Sequence, residues 1–299
     1  MPYRFAEAPP SSRAIFGGSY TDYDSALDYV QIQTTGNATE FGEFDPWKSA
    51  NGALSNDTRG VWSGGINSGQ ENMTYNTIQT LSNDTTFGDL NFSPNDTAGT
   101  ANSSRGLFGG GGGTQYFLNC DYITIMSASN ATDMGDLLAA RYGCSACASS
   151  SRAIYSGGYS LRSYNSDYYT IATPSAATNF GDLTSTAGFQ YCCGVSDGTK
   201  GVIGGGAAYD NSHLTELQYY TIASTGTATD YGDLLTSNGF NGSATDDGTR
   251  GLYGSTNRGG SEDRQGIDYF TIATGGTCQD FGLLAVNRST AAIGDFIAA

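Results

Sequence analysis

One short motif, returning at near-constant spacing, decides what this chain can fold into. Arg59-Gly60-Val61-Trp62-Ser63-Gly64-Gly65 comes back as Arg105-Gly106-Leu107-Phe108-Gly109-Gly110, Arg152-Ala153-Ile154-Tyr155-Ser156-Gly157-Gly158 and Lys200-Gly201-Val202-Ile203-Gly204-Gly205. Arg13-Ala14-Ile15-Phe16-Gly17-Gly18 precedes them and Arg250-Gly251-Leu252-Tyr253-Gly254 follows. From Arg13 the basic residue steps by 46, 46, 47, 48 and 50 positions. A period of that length marks an array of supersecondary units, none able to bury a core alone.

Each unit carries four segments. In the second, the small-residue stretch Ala50–Ser55 leads through the polar turn Asn56-Asp57-Thr58 into the Arg-Gly-aromatic-Gly-Gly strand. A variable loop follows, then the alternating Met73–Ile78, then Thr85-Thr86-Phe87-Gly88-Asp89-Leu90. The third segment is clearest as Asp121-Tyr122-Ile123-Thr124-Ile125, whose residue types favour strands and whose period is two. No helical period is sustained. Four short strands per unit, six times over, predict a six-bladed β-propeller. The first unit lacks its small-residue strand, and Asn287–Asp295 reads like the missing piece. Ala292-Ile293-Gly294-Asp295 lies on Gly194-Val195-Ser196-Asp197, so the C-terminal strand is expected to pair with the N-terminal blade and close the ring. Residues 1–10 form a lead-in and 11–299 the propeller.

Composition narrows the function. Charged residues are 14% of the chain, against roughly 25% in ordinary domains, yet 20 Tyr and 14 Phe in register argue against disorder. The formal net charge of −16 disfavours nucleic acid, whose phosphates need clustered cations, and anionic membrane surfaces. No apolar run approaches a spanning helix, and Met1-Pro2-Tyr3-Arg4-Phe5 opens no signal peptide. His213 is the single histidine, with no nucleophile elbow to serve, so neither a catalytic triad nor a His-based metal site is expected. Cys144 and Cys147, three apart on a strand, face opposite ways and read as buried thiols; a Cys144–Cys192 disulfide stays open. Ser196-Asp197-Gly198-Thr199 and Asp246-Asp247-Gly248-Thr249 resemble Asp boxes without the aromatic, and read as hairpin turns. No cofactor and no enzymatic activity are expected.

The unit resembles the kelch repeat. The matching diglycines are Gly17-Gly18, Gly64-Gly65, Gly109-Gly110, Gly157-Gly158 and Gly204-Gly205. The matching tyrosines are Tyr29, Tyr75, Tyr122, Tyr168, Tyr219 and Tyr269. The final aromatic, usually Trp, is Phe41, Phe87, Phe180, Tyr231 and Phe281, with Met134 in the third unit. A closer resemblance, carried by Thr58-Arg59-Gly60, Gly109-Gly110-Gly111, Asp121–Ile125 and Asn130-Ala131-Thr132-Asp133-Met134-Gly135-Asp136, is to Gly-rich propeller repeats of tailed-bacteriophage structural proteins, especially marine and cyanobacterial ones. It implies a virion component of the tail, its fibres or the head surface. Such a component is made in the host cytoplasm and binds other virion proteins or a host receptor. A lectin-like propeller recognising host glycans is the alternative.

The repeated residues read as scaffold. The diglycine lets the strand bend and pass its neighbour. The preceding aromatic wedges between blades, and the Tyr sends its hydroxyl to backbone. Phe-Gly-Asp turns a corner, its Asp accepting N–H groups. Arg13, Arg59, Arg105, Arg152, Lys200 and Arg250 are expected to brace blades, pairing with a carboxylate such as Asp57, or else to face the channel mouth. Binding is assigned to the variable loops 19–26, 66–72, 111–119, 160–166, 207–217 and 255–265. Their candidate contacts are Tyr23, Tyr116, Tyr164, Tyr209, His213 and Arg258.

Overall fold

The computed structural model of the chain describes residues 12–18, 25–66, 69–113, 115–159, 164–184, 188–237, 242–256, 265–285 and 291–294. The lead-in, Tyr23 and Arg258 lie outside them. The described residues form six antiparallel four-stranded sheets and no helix, a six-bladed β-propeller. Blade 1 holds β1 (Arg13–Gly17), β2 (Ala26–Gln31) and β3 (Thr39–Glu43). Blade 2 holds β4 (Gly52–Ser55), β5 (Arg59–Ser63), β6 (Asn72–Thr77) and β7 (Thr85–Asp89). Blade 3 holds β8 (Ala98–Ala101), β9 (Arg105–Gly109), β10 (Cys120–Thr124) and the short β11 (Thr132–Asp133). Blade 4 holds β12 (Ser145–Ala148), β13 (Arg152–Ser156), β14 (Asn165–Thr170) and β15 (Thr178–Asp182). Blade 5 holds β16 (Cys193–Ser196), β17 (Lys200–Gly204), β18 (Glu216–Thr221) and β19 (Thr229–Asp233). Blade 6 holds β20 (Ser243–Asp246), β21 (Arg250–Thr256), β22 (Gly266–Thr271) and β23 (Gln279–Leu283).

The last strand, β24 (Ala291–Gly294), joins blade 1 and closes the ring, as the sequence alignment required. It pairs with β1 through Ile15↔Ile293 and Phe16↔Ala292. Blade 5 pairs Val195↔Val202 and Gly194↔Ile203 in the same register. The innermost strands touch one another in sequence around the axis, and β24 meets both β20 and β4.

The core is split into six parcels, one at each blade interface. The residue before the bend supplies the wedge. Trp62 packs with Ile15, Leu27, Phe41 and Phe44 of the preceding blade. Phe108 packs with Leu54, Val61 and Phe87, and Phe16 with Leu252 and Phe281 across the closure. Each wedge is fully buried, and burying such a ring contributes roughly 2–3 kcal/mol.

The recurrent cation makes a brace unlike the one expected. Arg59 lies 4.1 Å over the Tyr75 ring of its own blade, and its Nη1 donates to Ile125 O of the next at 3.1 Å. Arg105 repeats this over Tyr122 at 4.2 Å and to Ile171 O at 2.7 Å. Arg250 spans the closure, over Tyr269 at 4.4 Å and to Ile32 O at 2.9 Å. Arg13, Arg152 and Lys200 follow, over Tyr29, Tyr168 and Tyr219 and to Ile78 O, Ala223 O and Ala273 O. The partner of Arg59 is thus a ring face and a neutral carbonyl, not the Asp57 carboxylate. A ring quadrupole and a carbonyl dipole together stabilise a cation without the cost of burying an acid beside it. Arg105→Ala is expected to cost about 1–2 kcal/mol, the sum of one cation–π contact and one charge-assisted hydrogen bond. Thermal unfolding checks this, and an unchanged Tm would rule out the brace.

Three further expectations need correction. The left-handed pair in blade 3 is Gly110-Gly111 (φ 68° and 121°), and in blade 5 Gly205-Gly206 (65° and 76°), not Gly109-Gly110 and Gly204-Gly205. Gly109 is the last strand residue, held small because an added Cβ would lie 2.9 Å from the Tyr155 ring. Gly64 and Gly65 do bend, at φ 60° and 95°. Second, Phe-Gly-Asp is no corner. Phe87, Phe180 and Phe281 sit in outer strands, edge-on to Tyr75, Tyr168 and Tyr269 at 5.9–6.1 Å. In the third strands, Asp121, Asp167 and Asp268 are carboxylates that do accept backbone N–H groups, from Asn91, Leu138 and Leu235. Third, the tyrosines whose hydroxyls anchor backbone are Tyr169, Tyr231 and Tyr253, bonding Gly135 O, Ile272 O and Cys193 O. Those of the cation brace present their ring faces.

Candidate functional site

The bend after the second strand throws two kinds of segment to one end of the ring: the loop to the third strand and the connection between blades. The polar turns between the first and second strands of each blade occupy the other end. There Asn56, Asn102, Asp197 and Asp247 each accept two N–H groups from the residues two and three ahead, which makes them rigid Asx turns. The bend end is therefore where this chain departs from its own repeat.

In blade 4 the inter-blade connection and the post-bend residue pair as an isolated bridge, Tyr142↔Tyr159, with Tyr159 N donating to Tyr142 O at 2.8 Å. The equivalent bridges are Ser49↔Ile66, Asn95↔Gly112 and Gln190↔Ala207, so blade 4 alone among these sets two rings side by side, 5.3 Å apart. Tyr116 of blade 3 lies on Tyr142 at 4.8 Å. Tyr209 of blade 5 stacks on Tyr159 at 5.7 Å and 14°. Tyr191 meets Tyr142 edge-on at 5.7 Å. Five tyrosines thus form one continuous patch over blades 3 to 5. Its ends are open: Tyr116 is 47% exposed and Tyr209 59%. Burial and the Tyr142 hydroxyl push the Tyr191 phenol up, and hydrogen bonding with Tyr209 pushes Tyr159 up, so these two stay neutral at pH 7.

The patch stands on a stiff base. Arg141, immediately before Tyr142, is buried with Asp167, each 1% exposed, in an ion pair of 3.0 Å. Its Nη1 also donates to Gly157 O at 3.1 Å and Asn165 O at 2.9 Å, so little of its donor capacity is left unmet. Burial pushes the Asp167 carboxyl up, while Arg141 and the Leu138 amide pull against it. Breaking such a pair leaves a buried charge, so the pair pins geometry more than it adds stability. Main-chain bonds Gly111 N→Arg141 O (2.7 Å), Arg141 N→Phe117 O (3.1 Å) and Phe117 N→Gly111 O (2.9 Å) tie the Tyr116 loop to the same residue. On the other flank Tyr209 rides a tight hairpin closed by Ala208 N→Ser212 O (2.8 Å) and the bridge Ala207↔His213.

Of the sequence-selected contacts, Tyr116 and Tyr209 are brought into the patch. Tyr164 and His213 are exposed at the same end but outside the ring-to-ring contacts. Tyr142, Tyr159 and Tyr191 were not singled out. Their signal was a departure from the repeat: Tyr159 directly after a diglycine, Tyr142 where other units carry Ser49, Asn95 and Gln190, and Tyr191 where they carry Ala50, Asp96 and Gly143.

Beside the patch the channel opens into a cavity of about 120 Å³, whose lining includes Asn51, Asp96, Ser145 and Tyr191. Its rim is a chain of left-handed residues, Ala50, Asp96, Gly143 and Tyr191 (φ 50–60°), in which the N–H of each of the last three donates to the carbonyl of the one before at 2.6–3.0 Å. All six cysteines are buried free thiols. Burial raises Cys144 to about 11 and Cys147 and Cys193 to about 12, which keeps them protonated. Among the described residues no group of three or more His, Cys, Asp or Glu is placed to hold a metal ion, and no helix is long and apolar enough to cross a membrane. No family model matches the chain, and no curated protein matches it.

Proposed function

We propose that this chain is a non-enzymatic virion structural protein, from a tail, fibre or head surface, that docks on another virion protein or a host surface through the Tyr116–Tyr142–Tyr159–Tyr191–Tyr209 patch. The observation that carries this is the patch's asymmetry. A repeat protein that served only to build a ring would keep its tyrosines in register, as it does with Tyr75, Tyr122 and Tyr219. These five break register and crowd into one sector. Rigid tyrosines supply large contact area at small entropic cost and dominate binding energy at protein interfaces. The whole-chain resemblance to tailed-phage repeats supplies the virion setting.

Tyr116→Ser with Tyr209→Ser is expected to cut incorporation into purified particles at least tenfold, each hot-spot tyrosine being worth about 2 kcal/mol. Both side chains are open to solvent, so Tm is expected to hold within about 2 °C. Full incorporation of the double variant, or absence of the native chain from particles, would sink the proposal. The exposed Tyr116 and Tyr209 rings also support a second reading, stacking on host sugars; a blank glycan array removes it.

A further inference from the structure

We infer, resting on the docking role proposed above, that the tyrosine patch takes an arginine-bearing segment of a partner protein, its guanidinium groups stacked on the open Tyr116 and Tyr209 rings beside Asp210 and neighbouring carboxylates. The ring faces and the sign of the rim both select that chemistry.

The fold uses its cations internally. The chain carries 13 Lys and Arg against 29 Asp and Glu. Among the described residues, six of these cations lie over ring faces at the starts of second strands, the end of the propeller opposite the patch. Arg141 is buried with Asp167, and Lys48 is fully buried. Those are all the described Lys and Arg, so the described surface around the patch presents carboxylates and no cation.

Carboxylates flank the patch on both sides. Asp210 follows Tyr209 in its hairpin and is exposed. Ser212 donates its hydroxyl (2.6 Å) and its N–H (3.0 Å) to Asp210 Oδ1, which fixes the carboxylate and pulls its pKa below the usual range. Glu216 stands at the foot of the same hairpin, where Thr215 Oγ1 donates to Asp233 at 3.2 Å. On the other flank Asp136 is exposed beside Leu137, whose N–H donates to Leu118 O of the Tyr116 loop at 2.7 Å. A basic partner is drawn to this rim, and an acidic one is repelled.

The ring faces choose among basic groups. A planar guanidinium stacks on an aromatic face while its fork of N–H donors still reaches a carboxylate; a lysine ammonium is a compact, strongly hydrated point charge and matches that pair of partners less well. This chain itself lays Arg on Tyr five times, at 4.1–4.7 Å from the ring centre. There the second partner is a neutral carbonyl. At the patch the rings of Tyr116 and Tyr209 are open and the nearby acceptors are charged, which makes the hydrogen bond the stronger kind. An apolar partner would cover the rings and leave the rim without counter-charge.

Calorimetry of the full chain with a blocked Gly-Ser peptide bearing arginine at every third position tests this. Saturable binding is expected in low salt, weakening severalfold between about 20 mM and about 200 mM salt. Tyr209→Ser should weaken it about fivefold, the contribution of an exposed cation–π contact. Asp210→Asn should weaken it about threefold, since Asn keeps the acceptor for Ser212 and loses only the charge. Both side chains are exposed, so Tm is expected to hold within about 2 °C and misfolding does not confuse the result. A citrulline peptide, equal in shape and uncharged, should not bind, and a lysine peptide should bind severalfold more weakly. Undiminished binding by both variants would reveal diffuse attraction to an acidic chain and overturn the inference, as would equal binding of the citrulline or lysine peptide. Incorporation into particles separates this claim from the docking role. Loss with Tyr116→Ser and Tyr209→Ser but not with Asp210→Asn or raised salt would keep the docking role and discard arginine. Full incorporation of the double tyrosine variant would discard both.

Discussion

A chain ended at Ala285 is expected to lose the ring. Such a truncation removes β24, which completes blade 1 by pairing with four residues of β1 and also touches β20 and β4 on the axis. Its loss leaves β1 with an open edge and the inner wall with a gap. Four ladder positions at about 1 kcal/mol each, plus the contacts on both flanks, amount to at least roughly 5 kcal/mol, the lower bound of a whole domain's stability. An exposed edge is also a template for pairing with another chain. The truncated protein should therefore oligomerise or aggregate at concentrations where the full chain is monomeric by light scattering. A peptide of residues 286–299 added in trans should restore the monomer. A monomeric truncation with unchanged Tm would mean that closure contributes little.

Gly181→Ala should come next in size. Each outer strand runs beside a turn of the following blade, and the two backbones hydrogen-bond: Gly226 N→Phe180 O at 2.9 Å, Ala228 N→Asp182 O at 2.8 Å. A Cβ on Gly181 would lie 2.1 Å from Gly226 O. The same collision recurs at Gly42 with Ser82 O, Gly88 with Ser129 O, Gly232 with Gly276 O and Gly282 with Gly36 O, all at 2.3 Å. Gly181 also holds φ 152°, which an L side chain resists. Overpacking of about 1–3 kcal/mol and the backbone penalty together put the loss near 3 kcal/mol or more. Gly42→Ala separates the two causes, because its φ lies outside the left-handed region and only the collision acts. Gly226→Ala is the control: a Cβ there meets nothing within 4 Å. It should be neutral within about 0.5 kcal/mol. Denaturant melts of the three variants decide the matter, and equal stabilities would refute the close approach.

These glycines show where sequence reading reached and where it stopped. The period carried the blades, the strand content and the closure, because each depends on residues near one another in the chain or on repeats laid over repeats. The reason for Phe-Gly-Asp lay instead across an interface. Gly181 answers to Gly226 on the next blade, and no pattern within one unit reveals that carbonyl. Arg59 likewise looked for an acid beside it and found Ile125 O, 66 residues on. The diglycine register slipped in blades 3 and 5 because the glycine runs 109–113 and 204–206 each offer more than one pair. The tyrosine patch was hidden more deeply. Its members come from loops of unequal length, and only the ring brings three blades' departures from the repeat together. Arg141 was invisible for the same reason: its partner Asp167 lies 26 residues on, in the repeated Asp-Tyr-Tyr strand.

Cryo-EM of particles purified from cells that produce this chain, with the propeller traced in the density, bears on the central claim most directly. The account predicts six-bladed density in repeated copies, with the sector of blades 3 to 5 seated against a neighbouring subunit and Tyr116 and Tyr209 at the contact. Propellers whose tyrosine sector faces open solvent in every copy, or particles without the chain, would contradict it.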